Sequence, residues 1–233
     1  MKSAFQIAID GPVAAGKGTI SRLLAQRLNF LYVDTGAMYR VAALLALRHQ
    51  ISWSAEDKIV ELIKNTSLEM RNPKGAEEQD GRLTTIIVDG EDESWTIRTQ
   101  KCSEGSSKVA VLAKVRQVLV EKQQQIAKRQ NVIMEGRDIT FRVLPEADLK
   151  IYLTASLESR AARRHLDYLT KGVDISLEEV TAEIAARDER DMNRSTDPLQ
   201  ITADAWVLDT SDLDIEEVVE VIAKRVEEIC QTN

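Results

Sequence analysis

One stretch, Phe5 to Leu28 (FQIAIDGPVAAGKGTISRLLAQRL), limits what this chain can fold into more than any other. Phe5, Ile7 and Ile9 sit among Ala4 and Ala8 with few polar neighbours, which suits a strand covered on both faces. The run Gly11-Pro12-Val13-Ala14-Ala15-Gly16-Lys17-Gly18-Thr19 follows it. Ile20, Leu23, Leu24, Arg27 and Leu28 then recur at the spacing of an amphipathic helix. Strand, glycine loop, lysine and helix in this order form the context of a phosphate-binding P-loop. The backbone N–H groups of a helix start lack intrahelical acceptors, and the helix dipole is positive there. A phosphate chain satisfies both. Gly11 and Gly16 let the backbone curl around the oxygens, and Lys17 adds a full charge.

The rest of the composition narrows the function classes. The chain has 233 residues, 43% of them hydrophobic, which fits one domain with insertions and a sizeable core. Its net charge of −7 argues against a general nucleic-acid or anionic-membrane binder. Phosphates must therefore be met by a local cationic cluster. Cys102 and Cys230 lie far apart and His49 and His165 are isolated, so neither a metal cage nor a His-based nucleophilic machine is expected. No leader pattern opens the chain and no apolar run reaches membrane-spanning length, so a cytoplasmic protein is expected.

Four further apolar runs read as core strands: Phe30 to Asp34, Asn131 to Met134, Asp148 to Leu153 and Ala205 to Asp209. Thr35 is the expected N-cap of a helix running to about Arg48, which carries Tyr39 and Arg40. Open α/β sheets bind ligands at the carboxyl ends of their strands, so Thr35, Tyr39 and Arg40 belong near the P-loop's ligand. A short helix over 54–64 leads to strand-like runs over 66–71 and 82–88, with the Asp89-Gly90 turn after them. These suit a small antiparallel sheet. The polar loop between them, Asn72 to Gly81, carries no chemistry that its residues suggest. Lys108 to Lys128 reads as one long helix with Arg116 in its middle. Glu135, just past a core strand, stands where a Walker-B carboxylate belongs.

A helix after Ser156 carries Arg160, Arg163 and Arg164, and Lys171-Gly172 ends it. Ser176 and Glu179 form a capping box for the next helix, which carries Arg187, Asp191 and Arg194. At about 100° per residue those three lie within about 60° of one another. The hairpin lies between core strands, where a lid over a P-loop would be, and arginine suits bidentate phosphate contacts. Strands alternating with helices predict an α/β fold. Its core is a five-stranded parallel sheet with a P-loop and helices on both faces; an inserted small antiparallel-sheet domain and a helical lid complete it. A second cationic set (Arg40, Arg137, the hairpin arginines) exceeds what one triphosphate needs. Two phosphate-bearing substrates meeting end to end would use both sets.

On these residues the chain resembles the bacterial cytidylate kinase family, in the nucleoside monophosphate kinase group. The stretches that carry the resemblance are IDGPVAAGKGT, DTGAMYR, EDESWTIRT, Val115-Arg116, EGRD, Asp188 to Arg194 and ADAWVLDTS, spread over nearly the whole chain. The resemblance implies a P-loop core over 1–39, 101–156 and 195–233, a monophosphate-binding insertion over 40–100 and a mobile lid over 157–194. It implies transfer of the ATP γ-phosphoryl to CMP or dCMP in pyrimidine nucleotide metabolism, with Mg²⁺ held mainly by the ATP phosphates and Thr19 as an additional ligand. ATP would be bound by residues 11–19 and Arg163. CMP would be bound by Thr35, Tyr39, Arg40, Ser107, Arg116, Arg137, Asp138, Arg187, Asp191 and Arg194. Of these, Arg116, Asp138 and Ser107 would contact the cytosine edge, and Lys17, Arg137, Arg187 and Arg194 would serve catalysis. The family implies a monomer acting on small nucleotides, with no nucleic-acid or membrane partner.

Cytosine pairs an N4 amino donor with acceptor atoms, so a carboxylate at Asp138 and donors at Arg116 and Ser107 complement it. Uracil would present an acceptor to an acceptor. Three features depart from the family pattern: Ile139-Thr140-Phe141-Arg142 adds bulk and charge after Asp138, Glu135 replaces the commoner Asp, and Val13-Ala14 is bulkier than usual. The first bears on backbone shape near the base. The rival readings are a kinase for UMP, AMP or shikimate, and a nucleotide-driven switch with no second substrate. The chain contains no N-K-x-D sequence for guanine.

Overall fold

A computed structural model describes residues 4–82 and 84–232. Leu83, within the strand expected over 82–88, lies outside the described residues, as do the ends of the core span at 1–3 and 233. In chain order the elements are β1 (Gln6–Asp10), α1 (Lys17–Leu28), β2 (Leu31–Asp34), α2 (Thr35–Arg48), α3 (Glu56–Asn65), β3 (Leu68–Arg71), β4 (Thr85–Val88) and β5 (Glu91–Asp92). They continue with α4 (Gln100–Val109), α5 (Ala113–Ala127), β6 (Val132–Gly136), β7 (Leu149–Thr154), α6 (Leu157–Thr170), α7 (Leu177–Asn193), β8 (Trp206–Asp209) and α8 (Ile215–Thr232). A five-stranded parallel sheet, ordered β2-β6-β1-β7-β8, has helices on both faces, and β3-β4-β5 form a small second sheet. Among the described residues no helix is long and apolar enough to cross a membrane.

By contact density the chain divides into two units. One comprises Gln6–Asn29 with Glu135 onward. In it β1 pairs in parallel with β7, from Ile7 opposite Leu149 to Asp10 opposite Tyr152, and β7 pairs in parallel with β8. Ile7, Ile9, Ile151 and Leu153 are fully buried, as a strand covered on both faces requires. α6 and α7 form the expected helical hairpin, opened by Ser156 and by the Ser176/Glu179 capping box. α7 stops at Asn193, and Arg194 is extended (φ −63°, ψ 144°). Arg194 therefore does not share the helical face of Arg187 and Asp191 that its spacing suggested.

The other unit comprises Phe30–Met134 with Ala4 and Phe5. Here two expectations are corrected. Asp34, not Thr35, caps α2: its Oδ1 accepts from the Ala37 N–H at 3.3 Å, and Thr35 is the first helical residue. Asp is as good a cap as Thr, and it comes one residue earlier. The single helix expected over 108–128 is two helices, broken at Ala110-Val111-Leu112. The break is held by a local side-chain bond: the buried Arg116 guanidinium donates to the Ala110 carbonyl at 3.2 Å. That supplies a partner for an acceptor that the end of α4 leaves over.

The polar loop over 72–81 is tied down. Arg71 donates both terminal nitrogens to Glu78 at 2.6 Å each, and the Lys74 N–H and Thr85 hydroxyl also donate to Glu78. Arg82 and the Trp95 indole both donate to Asp80. Arg71 foremost, then the Lys74 N–H, pull the Glu78 carboxyl from 4.5 down to about 2. A carboxyl lowered on folding stabilises the fold above its unfolded pKa and loses that contribution as pH falls toward the folded one. Amide protection at β3 and β4, measured against the intrinsic exchange rate at each pH, should therefore fall between about pH 4.5 and pH 2, before it falls in β1 and β7. The Glu78→Gln variant should lose most of this acid step; a step of unchanged size would contradict the assignment.

Candidate active site

The P-loop joins β1 to α1. Gly16 caps α1 at φ +84°, and the first intrahelical bond runs from the Ile20 N–H to the Gly16 carbonyl. The N–H groups of Lys17, Gly18 and Thr19 thus have no acceptor within the helix. Lys17 is 6% exposed, and its Nζ donates to the Gly11 and Pro12 carbonyls at 2.8 and 2.6 Å. Burial lowers its pKa well below the ordinary lysine value. The Arg137 and Arg187 charges add to this, while Glu135 and Asp10 oppose it. Lys17, Arg137 and Arg187 therefore lie in one electrostatic neighbourhood, with Glu135 and Asp10 among them.

Arg137 donates its Nε to Asp191 at 2.7 Å. Arg187 stays exposed at the surface, yet the protein around it and the Arg137 charge lower its pKa, while Asp191 opposes them. Arg194 lies 3.8 Å from Asp138 and donates its Nε to the Asp197 carbonyl at 2.7 Å. These contacts bring Lys17, Arg137, Arg187 and Asp191 together, with Asp138 and Arg194 as a second pair. Arg163 instead donates to the Thr210 hydroxyl and carbonyl after β8.

The other unit gathers its own set. The Arg116 guanidinium stands 5.7 Å over the Tyr39 ring. Arg40 donates to the Ser103 hydroxyl, and Ser107, one helical turn on, donates to the Ser103 carbonyl at 3.5 Å. Burial lowers the Arg40 pKa; Asp34 opposes this and the Arg98 charge adds to it. Arg98 lies 3.8 Å from Asp34. Thr35 is buried at the start of α2.

A family model described as cytidylate kinase matches residues 7–228. The chain belongs to the cytidylate kinase family. It is 43% identical over 223 residues to a cytidylate kinase of Bacillus cereus (strain B4264), covering 95% of this chain and 96% of that one. It is 42% identical over the same length to one from Bacillus thuringiensis (strain Al Hakam), with the same coverage. Among solved structures, an uncharacterized protein from Eubacterium ventriosum ATCC 27560 shares the fold, with TM-score 0.52, 10% identity and coverage of 97% and 99%.

Membership in a nucleotide kinase family raises the question of Mg²⁺. Among the described residues no group of three or more His, Cys, Asp or Glu could hold a metal ion. Asp10 is committed elsewhere: its Oδ1 accepts from the Ile139 N–H, and its Oδ2 accepts from the Thr140 N–H and hydroxyl, at 2.7–2.9 Å. Burial raises its pKa and those bonds oppose the rise. Nearby, the Glu135 carboxylate acts on Lys17, and the Thr19 hydroxyl is exposed. Such a sparse donor set fits an ion carried by substrate phosphates, the usual condition of Mg²⁺ in kinases.

Reading the sequence alone missed Asp10 and Arg98 as parts of these clusters. Asp10 sits at the end of an apolar strand and gives no pattern of its own. Arg98 could have been found, because it lies in the EDESWTIRT stretch that carries the family resemblance. The bulky Thr140 turns out to fix the backbone after Asp138, since its hydroxyl bonds to Asp10 at 2.7 Å.

Proposed function

We infer that this chain is an ATP-dependent nucleoside monophosphate kinase that transfers the γ-phosphoryl of ATP to CMP, giving CDP and ADP. The observation that carries this reading is the family match over nearly the full length, on a chain whose buried P-loop Lys17 lies in the electrostatic neighbourhood of Arg137 and Arg187. Phosphoryl transfer asks the protein for in-line positioning and for neutralisation of charge on the moving group, and no covalent intermediate is needed. UMP, AMP and shikimate kinases and nucleotide switches are not favoured by these relatives.

The finer assignments are part of the proposal. Residues 11–19 and Arg163 hold ATP. Lys17 exchanges its loop carbonyls for phosphate oxygens. Arg40 and Arg98, with Arg137 and Arg194, take the monophosphate end; Tyr39 and Thr35 flank it, and Arg187 and Asp191 serve the sugar and its neighbourhood. When bound, Mg²⁺ would neutralise charge on the β- and γ-phosphoryl oxygens, with Thr19 and Glu135 as its protein ligands. Residues 40–100 act as the monophosphate-binding insertion and 157–194 as a lid on a core of 1–39, 101–156 and 195–233. dCMP is accepted beside CMP. The enzyme works as a monomer in the cytoplasm.

Asp138 accepts from the cytosine amino group, while Arg116 and Ser107 donate to the ring acceptors. A coupled assay of ADP release over CMP, dCMP, UMP, AMP and shikimate tests the reading, with the cytidine nucleotides expected to be preferred. Asp138→Ala should narrow the margin of CMP over UMP in kcat/KM by the ~1–3 kcal/mol of a good base contact, a factor of about 5–150. Unchanged selectivity would remove Asp138 from base recognition.

A further inference from the structure

The hairpin arginines read from the sequence as phosphate ligands, but Arg160 does something else. It is 7% exposed, and Asp188 across the hairpin is 6% exposed. The two form an ion pair through Arg160 Nη1 and Asp188 Oδ2. The other Asp188 oxygen accepts from the Val13 N–H at 3.1 Å, and Arg160 donates to the Val13 carbonyl, also at 3.1 Å. Arg160 further donates its Nε to the Ala155 carbonyl at the end of β7, at 3.0 Å. One buried pair thus takes both backbone groups of a single P-loop residue. Val13 and Ala14 also pack against the hairpin's own core of Ala161, Val180 and Ile184.

The next residue shows what is being held. Ala14 has φ +59°, a left-handed conformation that disfavours any residue with a Cβ. Such a conformation persists only where its surroundings over-determine it. Two hydrogen bonds from buried charged groups to the adjacent Val13 meet that condition, and bonds of this kind are the strong ones.

We propose that Arg160 and Asp188 are positioning residues for ATP: by holding Val13 they keep the left-handed turn at Ala14, and so the P-loop, in its phosphate-cradling shape. This rests on the reading of residues 11–19 as the ATP site. It makes the hairpin part of the P-loop's scaffold as well as a cover. It also gives the bulky Val13-Ala14 pair a purpose, as the apolar seat through which the hairpin grips the loop.

The test measures ATP binding alone and CMP binding alone by calorimetry, with melting temperature recorded for each variant. In Asp188→Ala, ATP affinity should fall ~tenfold or more, in line with losing hydrogen bonds to a charged group, while CMP affinity stays within about twofold. Asp188→Asn, which keeps an acceptor for the Val13 N–H, should retain part of the affinity, and it serves as the folded control. In an Ala14→Gly background the penalty of Asp188→Ala should shrink by a factor of about five, because glycine adopts this turn without the Cβ cost. Unchanged ATP affinity with only a lower melting temperature would overturn the proposal, as would equal losses for ATP and CMP. Absence of ATP binding in the parent protein would instead overturn the reading of the P-loop, and the proposal with it.

Discussion

Lys17→Ala is expected to abolish nearly all CMP-dependent ADP release, by at least about a hundredfold, with the fold intact. Removing one preorganised donor from a developing oxyanion costs ~10²–10³ in rate, and Lys17 supplies a full charge in a buried setting where charge interacts strongly. The same burial protects the fold from the substitution. Lys17 is a costly charge to keep out of water, as its lowered pKa records, so removing it relieves desolvation. What is lost are its bonds to the Gly11 and Pro12 carbonyls, worth about 1 kcal/mol each. Turnover and stability should therefore separate: steady-state assays show the collapse, while the urea midpoint moves little. Lys17→Arg should not restore turnover, because a planar fork cannot replace a compact ammonium in so enclosed a place. Activity within about tenfold of the parent in Lys17→Ala would mean that the loop's lysine does not face the transferred phosphoryl group.

Features that declare themselves locally could be read from the sequence. The P-loop joins a hydrophobic pattern of one period to a pattern of another through glycines, and all the core strands appeared close to where the apolar runs put them. The Ser176/Glu179 box is written in adjacent residues, and both halves form. What could not be read depends on which partner each polar side chain meets in the fold. The break between α4 and α5 relies on Arg116 reaching the Ala110 carbonyl, and the apolar residues on either side continue a helical spacing that hides it. Val111, inside that spacing, is 68% exposed. Arg160 and Asp188 belong to charge runs, and a charge run looks the same whether it faces water or a P-loop. The loop over 72–81 looked chemically idle because its acids find arginines on the flanking strand and beyond it.

Gly11→Ala should be the most destabilising single substitution in the P-loop, and the reason lies in β7. A Cβ at Gly11 would come within 2.0 Å of the Leu153 carbonyl oxygen and 3.1 Å of its carbon. Neither atom can retreat easily, because Leu153 is fully buried in β7 and paired with Leu208 of β8. The backbone at φ +154° adds strain for any side chain. Overpacking of a dense core costs ~1–3 kcal/mol, and a clash with backbone on both sides belongs at or above the top of that range. For a chain of this size each kcal/mol lowers Tm by about 2–4 °C, so a fall of at least about 6 °C is expected. Gly16→Ala provides the contrast. Its Cβ would meet only the flexible Ile20 Cδ1 at 3.3 Å, and the penalty is the ~1–2 kcal/mol of a left-handed alanine at φ +84°. Gly16→Ala should therefore melt closer to the parent while losing phosphate binding, since it sits at the helix start that receives the anion. If Gly11→Ala melted as high as Gly16→Ala, the close approach of the loop to β7 would not be the constraint that fixes a glycine there.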